Sequence, residues 1–94
     1  MNAILKFFNP CEIVVLTTLS DTVCPYIKEA MDLYNLTIEE DGTDYLILIG
    51  DGISVSIALA DYNSYILNVN DNPAHTRVSK EELNHLIITE IQVP

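Results

Sequence analysis

From Ile53 to Leu59 the chain keeps a period of two: Ile53, Val55, Ile57 and Leu59 take one parity, and Ser54, Ser56 and Ala58 take the other. Successive side chains of a strand point to opposite faces, so this segment reads as a strand buried on one face only. A fold built on it needs neighbouring strands and a covering layer on one side.

The neighbours are legible on both sides. Leu36 to Glu40 and Tyr45 to Ile49 flank Asp41-Gly42, a hairpin signal because these residues tolerate positive φ at low cost. Gly50-Asp51-Gly52 turns into the alternating segment, Ala60 to Ser64 turns again, and Tyr65 to Asn70 closes an antiparallel meander of four strands. Towards the N-terminus, Ala3 to Phe8 reads as a short strand ended by Asn9-Pro10, and the β-branched stretch Glu12 to Thr18 as a second.

The covering layer is read from Thr22 to Tyr34. Val23, Tyr26, Ile27, Ala30, Met31 and Tyr34 recur at helical spacing, with Lys28, Glu29 and Asp32 on the other side. Ser20, Asp21 and Thr22 supply N-cap side chains, and Pro25 is compatible with the first turn, where its missing N–H has no intrahelical acceptor. Asn70-Asp71-Asn72-Pro73 is expected to be a loop. Ser79 and Glu82 form a capping box ahead of a short helix through Leu83 and Leu86, and the alternating tail Ile88 to Val93 is expected to be a final strand. The expected fold is α+β: an antiparallel sheet with a central four-stranded meander, one amphipathic helix on a face and a short C-terminal helix. At 94 residues, 49% hydrophobic, the chain has material for one core, and residues 1–94 read as a single compact domain.

Charge narrows the function. Fourteen Asp and Glu face four basic residues, Lys6, Lys28, Arg77 and Lys80, for a net charge of −10. Most carboxylates must then stand unpaired, and their summed potential repels nucleic acid and anionic membranes while attracting basic surfaces. The same acidity also confers solubility on an apolar chain. Met1 to Pro10 lacks the pattern of a secretory leader, and the apolar runs are too short to cross a bilayer, so a cytoplasmic protein is expected. Cys11 and Cys24 match neither a CxxC redox motif nor a paired zinc site, and free thiols are expected.

No motif for catalysis emerges. There is no G-x-S-x-G elbow to activate a serine, and His75 and His85 are ten residues apart, unlike the i,i+4 pair of a helical zinc site. Asn68, Asn70, Asp71 and Asn72 lack the EF-hand order, and the Gly50-Asp51-Gly52 turn has an acid where a phosphate loop needs donors and a following Lys. No catalytic residue, metal or cofactor is expected.

What remains is acids near turns and edges: Glu39, Glu40, Asp41 and Asp44 at the first hairpin, then Asp51, Asp61 and Asp71, and further on Glu81, Glu82 and Glu90. Duplex DNA carries one charge per roughly 1.7 Å of axis, which rows of carboxylates imitate in part for a basic groove. Tyr45, Tyr62 and Tyr65 can supply the aromatic anchors that such an interface uses beside charge, with sheet packing as the alternative role, above all for Tyr65 and Tyr62. In size and acidity, the chain resembles phage anti-defence and anti-CRISPR proteins and other DNA mimics. The function that likeness implies is inhibition of a basic nucleic-acid-handling protein, without direct binding of nucleic acid. An immunity protein or antitoxin against a basic toxin nuclease shares the composition. A different class is an oligomeric small-ligand or nucleotide-binding domain, in which Arg77 and Lys80 combine across a homodimer interface.

Overall fold

The computed structural model describes residues 17–92. The strands expected over Ala3–Phe8 and Glu12–Thr18 lie outside the described residues, apart from Thr17 and Thr18, which lead without regular structure into the first helix.

Five antiparallel strands follow one another in space as in sequence: β1 Thr37–Asp41, β2 Tyr45–Gly50, β3 Ile53–Asp61, β4 Ser64–Val69 and β5 His75–Val78. Helices α1 Leu19–Val23, α2 Lys28–Tyr34 and α3 Lys80–Gln92 complete an α+β fold with the expected meander at its centre. The alternation of β3 is realised as read: Val55 and Ile57 are buried, and Ser54 and Ala58 face the other way. The same parity carries Leu46 and Leu48 on β2 and Tyr65, Leu67 and Val69 on β4 into a single core with all three helices. Burial of each large aliphatic side chain contributes on the order of 1.5–3 kcal/mol.

The expected continuous helix over Thr22–Tyr34 is broken. Pro25 lacks the N–H that an uninterrupted helix would bond to the preceding turn, and Cys24–Tyr26 forms a 3-10 turn instead. Ile27 then leaves helical geometry, at φ −125° and ψ 19°, before α2 begins. The interruption preserves the buried stripe, since Val23, Ile27 and Ala30 are all fully enclosed. Tyr26, read as part of that stripe, turns outward, and the Lys80 ammonium sits 5.1 Å from its ring centroid. Asn35 ends α2 in the left-handed region at φ 53°, and the Met31 carbonyl receives the N–H groups of both Asn35 and Leu36.

At the C-terminus the expected strand Ile88–Val93 is corrected, because α3 continues as one helix through Gln92. Leu83 and Ile87 are buried, and Leu86, Ile88 and Ile91 pack around them, which is a stripe of three- and four-residue spacing. The alternation of Ile88, Glu90 and Gln92 with Thr89, Ile91 and Val93 in the sequence is incidental to that longer period. Two side chains dock the helix. Asn84 accepts the Ala30 N–H of α2 at 2.9 Å and donates to Glu29 at 3.1 Å, while Glu90 accepts from Asn72 at 3.0 Å and pairs with His75 at 2.9 Å.

β5 follows the expected Asn70–Pro73 loop, in a stretch to which the sequence assigns no element. It pairs irregularly with β4, through Tyr65 with Val78 and Leu67 with His75, and it buries only Val78, so no alternation shows in its sequence. Arg77 within it has φ 58°.

Candidate functional site

The helices cover one face of the sheet; no described element covers the other. On that open face the pairing register lines residues up across the strands. Tyr45 opposes Ala58, which opposes Ile66; Glu40 opposes Ile47, then Ser56 and Asn68; Thr37 opposes Ile49, then Ser54. Tyr45 is 42% exposed, Ile49 38% and Ile66 37%, so three large apolar side chains stand in solvent around a centre of Ser and Ala.

The Tyr45 ring is placed by Gly42. A Cβ at residue 42 would collide with the ring carbons of Tyr45, so the ring occupies the space that a side chain there would fill. The turn between β1 and β2 spans residues 42–44 without the positive φ at Gly42 that an Asp-Gly hairpin would use. Positive φ appears in the two connections at the other end of the sheet, β2–β3 and β4–β5: Gly52 has φ 69°, and Asn70 and Asp71 have φ 54° and 62°, the pair that a type I′ turn requires. Val69 and Asn72 close that turn with a 3.0 Å bond.

The acids read from the sequence do not form one cluster. Glu39 and Glu40 are exposed on the edge strand β1, where a register shift between Ile38 and Glu40 opens the ladder. Asp44 lies in the first turn; its carbonyl accepts the Leu59 N–H at 2.9 Å, bringing that turn to the end of β3 that carries Asp61 and Tyr62. Tyr62, 91% exposed, is the most exposed large hydrophobic side chain among the described residues. Asp51 and Asp71 gather at the opposite end, where Ser54 and Asn70 bond in both directions, N–H to carbonyl and N–H to side-chain oxygen, at 2.8 Å each. The two ends are separated by the length of β2, about 17 Å for six residues.

Asp41 belongs elsewhere. Its side chain turns to the helical side, where it accepts the Ser20 N–H at 3.1 Å and the Ser20 hydroxyl, and these bonds hold its carboxyl below the usual range. It anchors α1 to β1. Asp61 is exposed, yet it accepts from the Ser64 hydroxyl at 2.8 Å and the Asn63 N–H at 3.3 Å; these bonds and, in smaller part, the charge of Arg77 lower its pKa. Glu82 accepts from the Ser79 N–H at 3.0 Å and from its hydroxyl at 3.1 Å, which likewise lowers its pKa at the start of α3. Cys24 is half-buried, and burial first, then Asp41 and Asp21, raises its pKa, so its thiol resists ionisation.

Ile47, Ile49 and Ile66, on the open face, were not singled out in the sequence. The signal was present in Tyr45–Ile49, where both parities are apolar, more than a strand buried on one side requires. Among the described residues, one lysine–carboxylate pair forms, Lys28 with Asp32 at 3.2 Å, and it lies on α2. Lys80 also lies in the helical layer, beside a depression of about 480 Å³ whose walls include Tyr62, Tyr65 and Ser79. Among the described residues no three His, Cys, Asp or Glu side chains gather as a metal site needs, and no helix is long and apolar enough to cross a membrane. No protein-family model, curated protein or solved structure matches the chain.

Proposed function

We propose that this chain is a non-enzymatic interaction protein that binds and inhibits a basic, nucleic-acid-handling protein in the cytoplasm, in the manner of a phage anti-defence or anti-CRISPR protein. One observation carries this reading: Glu39, Glu40, Asp44, Asp51 and Asp71 are exposed along the edge and the two ends of the sheet, and among the described residues none of them forms an ion pair. Such an arrangement presents fixed negative charge to a basic groove.

The acids at the two sheet ends are about 17 Å apart, comparable to several phosphates along a duplex. Inhibition by occupation of a nucleic-acid groove needs no catalytic residue. The test is competition: labelled duplex DNA is bound to each of a panel of purified defence nucleases, and the protein is titrated in. Displacement from at least one nuclease, weakened by Glu39→Lys/Glu40→Lys, is the expected result. No displacement from any of them argues against the reading.

A further inference from the structure

Resting on that reading, we infer that the open face of the sheet is the docking surface, with the row Tyr45, Ala58 and Ile66 seating apolar side chains of a basic protein whose cations reach the surrounding carboxylates. The composition of the face supports this assignment. A sheet face meant only for water alternates to polar residues, yet β2 presents Tyr45, Ile47 and Ile49 there, and β4 presents Ile66. Beside them Ser54, Ser56 and Ala58 are small, which lets a partner's side chains descend close to the backbone.

Charge names the occupant. The apolar rows are bounded by Glu39 and Glu40 along β1, by Asp44 and Asp61 at one end, and by Asp51 and Asp71 at the other. Docked interfaces join an apolar centre to a polar rim, and here the rim is negative on three sides. A second copy of this chain fits poorly, since each brings a net charge of −10 and identical rims would face one another. The open face measures roughly 17 Å by 14 Å, from the length of β2 and three interstrand spacings. That is far below the roughly 800 Å² per partner of a stable dimer, but large enough to be the centre of an interface completed by charge.

The probe is a helical peptide of about 18 residues with leucines on one side and lysines on the other, beside a control of equal charge in which glutamine replaces leucine. Both are titrated into the full chain at low salt, with binding read from amide shifts. The leucine peptide should bind about tenfold more tightly, with shifts concentrated at Ile47, Ala58 and Ile66. Ile47→Ser/Ile66→Ser should abolish the gain while leaving the control peptide's affinity within about twofold; a folded-state spectrum checks the variant. Equal binding of the two peptides, or shifts gathered on α2 and α3, overturns this assignment and leaves the electrostatic reading standing. Failure of both peptides to bind defeats the electrostatic reading itself. Nuclear Overhauser contacts from residues 3–16 onto the face in the free protein, or a dimer that the double variant dissolves, assign the face to the chain itself and overturn a basic partner.

Discussion

Ser20 gives both its backbone N–H and its hydroxyl to the carboxylate of Asp41, 21 residues further along the chain. The tie joins a five-residue helix, too short to persist alone, to the edge strand of the sheet. It also takes one carboxylate out of the acidic hairpin and gives it a structural task.

Replacement of that carboxylate should therefore lower stability without weakening attraction for cations as much as loss of Glu39 or Glu40 does. Asp41→Asn is expected to lower the Tm at pH 7 by about 2–6 °C. The pKa of Asp41 is lowered in the fold, so its contribution is present above the unfolded pKa, near 4, and is lost as pH falls through the folded value. The difference in Tm between wild type and variant should shrink as pH drops from 5 to 2. A difference that grows instead contradicts the tie.

The two faces of β4 should respond unequally. Leu67 is fully buried and Ile66 is exposed. Leu67→Ala is expected to cost about 2–5 kcal/mol in urea unfolding, and Ile66→Ala within about 0.5 kcal/mol. Similar losses at the two positions would mean that the open face is covered.

Much of this was readable from residues. The meander followed from the period of two in β3 and from the turn residues on either side, because each strand sees the core on one side only. The helical stripe of Val23, Ile27 and Ala30 was readable too, but the break at Pro25 was not, since two short helices in register bury the same residues as one long helix. The tail was misread because Glu90 and Gln92 on one parity and Ile91 and Val93 on the other resemble a strand over a short window; only the contacts of Leu83 and Ile87 distinguish the longer period. For the candidate site, the sequence shows which acids exist, but their grouping depends on which turns share an end of the sheet. Asp44 joins Asp61 through the bond to Leu59, whereas Asp41, three residues earlier, faces the other way.

Asn84 is a second tie that sequence distance conceals, 54 residues from Ala30. Asn84→Ala leaves the Ala30 N–H without its acceptor at the start of α2, and an expected loss of about 1–3 kcal/mol should appear in urea unfolding. Asn84→Asp keeps the acceptor but meets Glu29, so it should fall between wild type and Ala. An alanine variant as stable as wild type would show that water satisfies this group equally well.

Gly42 should be sensitive through Tyr45. Gly42→Ala places a methyl where the ring now lies, and the ring must swing away. The expected outcome is a change in the Tyr45 ring shifts and weaker binding of the leucine peptide, with the affinity of the glutamine control held within about twofold. Unchanged ring shifts would contradict this close approach.

The central claim, that exposed carboxylates at the rim of the sheet lead binding to a basic partner, is tested most directly by the salt dependence of the leucine peptide's affinity. Between 50 and 300 mM NaCl the account predicts that Kd rises by about tenfold or more, with Glu39→Gln/Glu40→Gln flattening the slope. A Kd that is constant across that range, or a slope unmoved by the double variant, would contradict it.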